Sequence, residues 1–343
     1  MKKFIFKTSF FVAPFAFLYV ITLLFYSSSE SPDLIRLGCF PNIFKEYRNV
    51  FHDDFKRKIY FNKISRIKNK KEKILTIGDS FSEQGNYGYK NYLSEKYSVL
   101  HIDRFISGNQ IQTLYELLNG DFFAKQNIEY VILENVERNF ISNANNIDSS
   151  KIIMTSQLDN LVRDHKISKL DNSDPFFSKK TIQFPFSMLR YYFSQNYLSN
   201  KYVYNVVLNR NNLFSINESN LLFVYKDLSC LEENNDLAGV QKLNNVLNDL
   251  SNKLRDKKIK LIVLPAPDKY DLYYDYIADK TKFPRPLFFN NLGALKKNYV
   301  YINSKKILSA QLSRKKDIYF YDDTHWSPVA SKIIADEIKK EIN

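Results

Sequence analysis

The chain opens with a long apolar run behind a short basic tip. Met1-Lys2-Lys3 and Lys7 precede a stretch from Thr8 to Ser29 without any charged residue. Its apolar part matches the roughly 17–25 residues that a helix needs to cross a membrane. Because basic residues favour the cytoplasmic side, the chain after residue 30 is expected to lie outside the cytoplasm. A cleaved signal peptide is the alternative, although the apolar run is long for one and Tyr26-Ser27-Ser28-Ser29 is only a loose cleavage site.

From residue 73 onward, short apolar runs alternate with amphipathic segments. The run 128–133 is almost continuously apolar, as strands buried on both faces of a parallel sheet are. Leu237, Val240, Leu243 and Leu247 recur at spacings of three and four, which predicts an amphipathic helix. The predicted strands are 73–77, 98–102, 128–133, 258–264, 299–302 and 318–321, and the predicted helices are 89–96, 110–118, 237–254, 305–312 and 328–340.

Repeated strand–helix units predict a doubly wound α/β fold with a mainly parallel sheet, a flavodoxin-like three-layer sandwich. Residues 30–72 are polar and basic, which indicates a juxtamembrane linker. Residues 140–235 are rich in Asn, Ser, Phe and Tyr without a clean period, so we expect an insertion of helices and loops. The chain is therefore predicted to consist of a cytoplasmic tip with a transmembrane anchor (1–29), a linker (30–72) and one domain (73–343) that carries this insertion.

Charge and composition narrow the possible partners. The net charge of +13 would suit nucleic acid, but an exported domain rarely meets it, and no nucleic-acid-binding motif is present. The lysines form short scattered runs, which indicates a solvated face or attraction to anionic glycans or lipid head groups. Cys39 and Cys230 would pair in an oxidising compartment or remain free thiols. With four histidines and no metal-ligand spacing, the sequence predicts no metal and no cofactor.

Two short segments carry the chemistry. The first predicted strand ends in Gly78-Asp79-Ser80-Phe81, and Asp322-Asp323-Thr324-His325-Trp326 lies just ahead of the last predicted helix. Both are expected at one rim of the sheet, because ligands bind beyond the carboxyl ends of parallel strands. A serine becomes a good nucleophile when a histidine takes its proton, and a carboxylate orients that histidine. The sequence therefore predicts Ser80 as the nucleophile and His325 as the general base.

The two segments together resemble the SGNH (GDSL-like) hydrolase and transferase superfamily, whose serine block is N-terminal and whose acid–histidine block is C-terminal. Phe81 and Trp326 narrow the resemblance to the SGNH-like proteins of alginate and other exopolysaccharide O-acetylation. Segment 131–138 is similar to the strand and Glu-Arg pair of those proteins, and 264–276 to their Pro-x-Lys…Tyr segment. The resemblance covers residues 73–140 and 258–340. In the alginate proteins the acid–histidine block comes first, so the order here is that of ordinary SGNH enzymes.

The spacing leaves two candidates for the orienting acid. Asp322 precedes His325 by three residues, as is usual in the superfamily. Asp323 precedes it by two, as in the alginate-type Asp-x-His-Trp block, and this match favours Asp323.

The oxyanion hole requires N–H donors aimed at the developing negative charge. The Ser80 N–H is the first candidate, and Gly108 and Asn109 stand where the superfamily has its glycine block. The superfamily's Gly-x-Asn-Asp block is missing after the third strand. Asn135 and Arg138 are the candidates to replace it, although an Arg–Glu pair there is more often a structural salt bridge. Two further candidates, Lys269 and Tyr270, either line the cleft or cap a helix.

The resemblance implies a membrane-anchored, extracytoplasmic O-acyltransferase, with acetyl as the expected group, that acts on a cell-envelope or secreted glycan. It also implies a multi-pass membrane acyltransferase as the partner that supplies the acyl group. An esterase with the same triad is the nearest alternative. A glycan-binding scaffold on the same fold is another: the missing Gly-x-Asn-Asp block favours it, whereas intact Ser80 and His325 speak against it.

Overall fold

A parallel sheet forms the centre of the molecule. The computed structural model describes residues 1–25, 32–38, 47–64, 72–171, 179–197, 201–216 and 219–342. The strands are β1 (Asn62–Lys63), β2 (Ile74–Ile77), β3 (Val99–Ile102), β4 (Tyr130–Val136), β5 (Val203–Val207), β6 (Asn220–Val224), β7 (Lys260–Ala266) and β8 (Val300–Tyr301). Six of them form one sheet in the order β1-β3-β2-β4-β7-β8, and every neighbouring pair is parallel. Strands β5 and β6 form a separate antiparallel pair.

Helices flank the sheet. The longer ones are α1 (Lys2–Phe25), α5 (Gln110–Asn119), α7 (Glu137–Asn145), α8 (Thr155–Asp171), α9 (Lys179–Tyr197), α12 (Leu237–Asp256), α14 (Phe288–Ala294) and α16 (Pro328–Glu341). The shorter ones are α2 (Asp33–Arg36), α3 (His52–Phe55), α4 (Tyr89–Leu93), α6 (Phe122–Lys125), α10 (Lys226–Ser229), α11 (Leu231–Asn235), α13 (Lys269–Tyr273) and α15 (Ser304–Ser309), with 3₁₀ turns at Tyr47–Phe51 and Tyr274–Tyr276.

Alternating side chains of each strand enter two separate apolar cores, because successive residues of a strand point to opposite faces. Ile74, Ile132 and Ile262 join the core that α4, α15 and α16 cover. Leu75 and Leu133 join the core that α5, α7, α12 and α14 cover. This three-layer arrangement around a parallel sheet confirms the predicted α/β fold class.

Strand β2 is the point at which the order of the sheet reverses. After β2 the chain adds β3 on one side of it and then returns to place β4 on the other side. In open α/β sheets such a switch point forms a crevice at the carboxyl ends of the strands. The turn at Gly78–Ser80 therefore begins at this crevice.

The predicted strand 318–321 is absent from the sheet, and this expectation is corrected. Only an isolated bridge joins Tyr319 to Trp326. The segment pairs with its own continuation instead, because Phe320 N–H donates to the His325 carbonyl (3.2 Å) and Ser327 N–H donates to the Ile318 carbonyl (2.9 Å). The acid–histidine block consequently forms the tip of a short hairpin-like loop, residues 318–327.

The segments outside the predicted core units are more structured than their composition indicated. The insertion at 140–235 contains α8 and α9 but also the β5–β6 pair. The stretch predicted as a linker, 30–72, supplies β1 to the edge of the sheet and buries Leu34 and Phe51. Cys39 lies outside the described residues, and Cys230 is a partly buried free thiol.

Helix α1 is long and apolar enough to span a membrane over Lys2–Leu23, and most of its side chains are exposed in the structure. It is the one such helix among the described residues. A signal sequence near an N-terminus has the same length and composition.

Candidate active site

The Gly-Asp-Ser turn is held by carboxylates on both sides of it. The Asp79 carboxylate accepts hydrogen bonds from Phe81 N–H (3.0 Å) and from Val136 N–H at the end of β4 (2.8 Å). Glu134 accepts from Asp79 N–H (3.0 Å) and from the Ser82 hydroxyl (2.8 Å). A Cβ at residue 78 would overlap Ser82 and Glu134, so the turn requires glycine there. These contacts fix a half-buried Ser80 at the end of β2.

Glu134 is a buried support beneath this turn. Burial, followed by the neighbouring Asp79 charge, raises its pKa well above the usual range for a carboxyl group. A neutral Glu134 avoids placing two negative charges side by side under the serine. The position belongs to the segment that resembles the Glu-Arg region of the alginate-type proteins, but its role as a support was not foreseen.

His325 and Asp323 form a short hydrogen-bonded pair. The Asp323 Oδ1 lies 2.6 Å from His325 Nδ1 and also accepts the His325 backbone N–H at 3.1 Å. The other ring nitrogen, Nε2, is buried and has no hydrogen-bond partner among the described residues. Because Nδ1 faces a carboxylate, the tautomer with its proton on Nδ1 leaves Nε2 as a base.

Phe81 brings the histidine loop against the serine turn. Its ring centroid lies 4.8 Å from that of His325 and 5.0 Å from that of Trp326. Ser80 and His325 form no hydrogen bond to each other in this structure. Catalytic hydrogen bonds are often long before substrate binds and tighten in the complex. The arrangement therefore places a base next to the serine turn without a formed serine–histidine bond.

Gln84 links the two segments across most of the chain, and sequence reasoning missed it. Its Nε2 donates to the Trp326 carbonyl (2.7 Å), and its Oε1 accepts from the Trp326 indole N–H (2.8 Å) and from the Ser331 hydroxyl (3.0 Å). Both Gln84 and Trp326 are buried. A glutamine four residues after the serine gives no local signal of this contact.

The two candidate acids differ in their shortest contacts. Asp322 accepts from Arg48 Nη2 (2.7 Å) and Nε (3.2 Å), so it holds the 3₁₀ turn Tyr47–Phe51. Arg48 also lies 3.5 Å from Asp323 Oδ2 and stacks over the Phe320 ring at 4.2 Å. The geometry at His325 is therefore that of the i−2 acid, with the i−3 acid turned toward Arg48.

A third carboxylate reaches the site from the N-terminal segment. Asp33 accepts hydrogen bonds from the Thr324 backbone N–H (2.9 Å) and from the Thr324 hydroxyl. Its Oδ2 lies 3.7 Å from His325 Nδ1, and its own N–H donates to Asp323 at 3.4 Å. Burial, and then the Asp323 charge, raise the pKa of Asp33 to about 6. Sequence reasoning missed Asp33 because it lies far from His325 along the chain.

These carboxylates determine the basicity of the histidine. Burial on its own lowers the pKa of His325, but the charge and hydrogen bond of Asp323, and then the charge of Asp33, reverse the effect. The net pKa of His325 is raised above its usual range. The same pairing holds the pKa of Asp323 below its usual range despite burial. The site therefore favours the imidazolium that forms when a serine is deprotonated.

Lys269 supports the loop from below. Its Nζ is fully buried and donates to the carbonyls of Phe320 (2.7 Å), Tyr321 (2.7 Å) and Asp323 (3.1 Å). Burial lowers the pKa of Lys269 to about 8, although the nearby carboxylates oppose the shift. The sequence left open whether Lys269 lines the cleft or caps a helix. Its observed contacts hold the backbone of the acid–histidine loop.

The polar groups of Tyr270 and Arg138 are engaged by partners within the protein. Tyr270 is fully buried and its hydroxyl donates to the Pro284 carbonyl (2.6 Å). Arg138 Nη1 is engaged by Asp268 (2.5 Å) and Asp227 (3.0 Å). The Arg138 contacts are those of the structural salt bridge, because its guanidinium already faces two buried carboxylates.

The remaining oxyanion candidates divide into occupied and open donors. Asn109 caps α5 by accepting from two backbone N–H groups, and its amide donates to the Asn143 carbonyl. The Asn135 amide donates to Gln110 (2.9 Å). Gly108 is exposed, with open space where a Cβ would lie. In the described part of the chain the Ser80 N–H donates to no other group, so Ser80 and Gly108 remain as candidate backbone donors.

Asp33, Asp323 and His325 are also the group of described residues that could hold a metal ion. Their ligand atoms lie within 4.8 Å of one another. The two carboxylates already accept hydrogen bonds within the protein, Asp33 from Thr324 and Asp323 from His325. Asp33, Asp323 and His325 therefore form an acid–histidine group that is joined by hydrogen bonds.

The comparison with protein families agrees with this site. The match, to the SGNH hydrolase-like domain of acetyltransferase AlgX, spans residues 222–343. It includes Lys269 and the whole acid–histidine loop, whereas the serine turn lies outside it. Neither the curated proteins nor the solved structures gave a match. Residues 222–343 are thus similar to the SGNH hydrolase-like domain of acetyltransferase AlgX, in agreement with the resemblance carried by the sequence motifs.

Proposed function

We propose that this protein is a membrane-anchored, extracytoplasmic acyltransferase that moves an acetyl or similar acyl group onto a glycan hydroxyl. The observation that carries the proposal is the Asp323–His325 pair at 2.6 Å, whose Nε2 has no partner among the described residues and which packs against the serine turn. The family match supports acetyl transfer or ester hydrolysis on an SGNH-like domain.

In the first half-reaction His325 Nε2 takes the Ser80 Oγ proton as Oγ attacks the acyl carbonyl. The oxyanion of the tetrahedral intermediate accepts hydrogen bonds from backbone donors, for which we propose the Ser80 and Gly108 N–H groups. The donor group leaves with the proton from His325, and the acyl group remains on Ser80 as an ester. In the second half-reaction His325 takes the proton of a sugar hydroxyl, which attacks the ester, and Ser80 Oγ regains its proton.

The donor enters this scheme through the resemblance alone. We propose, as this resemblance implies, that a multi-pass membrane acyltransferase delivers the acyl group. With water in place of the sugar hydroxyl, the same steps describe an esterase.

Acceptor competition separates transfer from hydrolysis. The full chain in nanodiscs is given an aryl acetate together with increasing concentrations of an oligosaccharide. Transfer predicts that acetylated sugar appears at the expense of free acetate; an esterase would release acetate at every sugar concentration. Ser80→Ala should abolish both products, whereas the exposed control Ser150→Ala should keep both. Equal product formation by Ser80→Ala and wild type would exclude the serine mechanism altogether.

A further inference from the structure

Helix α9, in the insertion, exposes an apolar face. Ile182, Phe186, Leu189, Phe193 and Tyr197 recur at every third or fourth position and are between 48% and 71% exposed. A surface helix of a soluble domain normally turns its apolar stripe inward and its polar residues outward. This helix does the reverse on its outer side, and exposed apolar patches of this kind mark contact surfaces.

The opposite face of α9 is occupied by the domain. Phe184 and Ser194 are buried, and the Gln195 amide bonds to the Val203 carbonyl on β5. A Cβ at Gly38 would overlap the backbone at Ser187, so the juxtamembrane segment lies directly against the helix. The contacts of α9 with the domain therefore do not involve its apolar outer face.

The helix packs beside the membrane-spanning candidate. Helices α1 and α9 are in contact, and the covered residues of α1 include Tyr19 and Thr22, close to its C-terminal end. That end leads into the exported part of the chain in the predicted orientation. The position of α9 is therefore at the level where α1 would leave the bilayer.

The composition of α9 fits a bilayer surface. The sequence 179–197 contains Lys179, Lys180 and Arg190 but no acidic residue, and it includes three tyrosines. Interfacial helices combine an apolar aromatic face with basic residues that attract anionic head groups, and tyrosine prefers this level of the membrane. The position of α9 beside α1 favours the bilayer over a soluble partner as the contact of its apolar face.

We propose that α9 lies along the outer surface of the membrane that α1 enters, with the face Ile182, Phe186, Leu189, Phe193 and Tyr197 in the boundary between head groups and acyl chains. The bilayer is the occupant of this face. The helix then restricts how the domain can rotate about its anchor. It holds the candidate active site near the membrane whether or not the site transfers acyl groups.

Tryptophan fluorescence in brominated lipid tests this placement on the full chain. The chain contains one tryptophan, Trp326, which is fully buried and supplies the background. Phe186→Trp and Phe193→Trp are reconstituted into vesicles of phosphatidylethanolamine and phosphatidylglycerol brominated near the head-group end of the acyl chain. Leu237→Trp, exposed in the other helix layer, is the matched control, and Phe11→Trp reports whether α1 is inserted.

The proposal predicts quenching at positions 186 and 193 at least about twofold stronger than at position 237, together with a blue-shifted emission. Quenching at position 11 without quenching at 186 and 193 would show an inserted anchor with α9 off the membrane, which overturns the proposal. Absence of quenching at positions 11, 186 and 193 would overturn the proposal as well. Two probe positions on the helix, each checked by circular dichroism, keep the result independent of one variant's folding.

Discussion

His325 lies between two carboxylates of different origin. Asp323 holds Nδ1 at 2.6 Å from its own loop, while Asp33 reaches within 3.7 Å from the N-terminal segment. Asp322, the other candidate acid, binds Arg48 at 2.7 Å. One histidine thus has an orienting acid in hydrogen-bond contact, a second negative charge close by, and a neighbouring aspartate with a structural partner.

Substitution of Asp323 should mainly lower turnover, whereas substitution of Asp322 should mainly lower stability. Asp323→Asn removes the carboxylate that fixes the tautomer and stabilises the imidazolium, so aryl acetate turnover should fall by up to about 10⁴-fold. Asp322→Asn weakens a salt bridge instead and should lower the unfolding free energy by about 1–3 kcal/mol with a smaller effect on turnover. Turnover and urea unfolding are measured on both. An inactive Asp322→Asn beside an active Asp323→Asn would reverse the assignment.

Asp33 should shift the pH dependence of activity. The general base must be neutral, so the acidic limb of kcat/KM follows the pKa of His325, which Asp323 and then Asp33 raise against the effect of burial. Above pH 6 an ionised Asp33 favours the imidazolium, and Asp33→Asn removes that charge while it keeps an oxygen for Thr324. The limb should therefore move to lower pH. Asp53→Asn, a fully exposed control, should leave it in place, and an unmoved limb in Asp33→Asn would exclude the electrostatic role.

At the level of elements, the loop 318–327 and the serine turn form one unit. Phe81 packs against His325 and edge-on against Trp326, and Gln84 accepts the Trp326 indole N–H while it donates to the Trp326 carbonyl. These contacts let a loop outside the sheet hold its histidine beside the end of β2. They also explain why tryptophan follows the histidine: its indole fills the core and gives Gln84 a donor.

Trp326→Phe should separate packing from the hydrogen bond. The phenyl ring keeps most of the buried apolar contact but leaves the Gln84 Oε1 without its indole donor. We expect a loss of about 1–3 kcal/mol in unfolding free energy, from partial loss of packing and the missing bond, and a measurable fall in turnover. Tyr89→Phe, which removes a buried hydroxyl bonded to Ser82, is the matched control for stability. A stable Trp326→Phe with wild-type turnover would show that the bond between the indole and Gln84 does not position the loop.

The sheet and its helices could be predicted because their signals are local. The apolar runs at β2, β4 and β7 and the periodicity of α12 lie within single windows of sequence. The segment 318–321 has the same apolar character, yet its backbone pairs with residues 325–327. A short apolar run does not determine which segment its backbone pairs with. The prediction of a sheet strand at 318–321 was wrong for this reason.

At the scale of the whole molecule, the N-terminal stretch that follows helix α1 is part of the site. Asp33 and Arg48 lie within the predicted linker 30–72 and bind Thr324 and Asp322 near the opposite end of the chain. No local pattern announces contacts across such separations, so Asp33, Arg48 and Gln84 could not be found from sequence. Ser80, His325 and Asp323 could be named because a known chemistry requires a serine, a histidine and a carboxylate, and because the two segments that hold them resemble known ones.

A double-mutant cycle measures this long-range connection. Arg48→Met and Asp322→Asn should each reduce the unfolding free energy, and the double variant should lose less than their sum. The coupling should be about 0.5–3 kcal/mol, the range for residues in direct contact. Arg36→Met, an exposed arginine of the same segment, should change little. Additive losses in the Arg48 and Asp322 pair would show that the segment is not tied to the loop in solution.

The most direct test of the account is to find the acyl group on the protein. The full chain in nanodiscs is mixed with an aryl acetate, quenched with acid and digested, and the peptides are examined by mass spectrometry. The account predicts an acetyl ester on Ser80 that is absent from Ser80→Ala, forms on the order of 100-fold or more slowly in His325→Ala, and disappears when an acceptor sugar is added. Turnover by the wild type with Ser80 unmodified at every quench time, or an acetyl group on another residue that persists in Ser80→Ala, would contradict it.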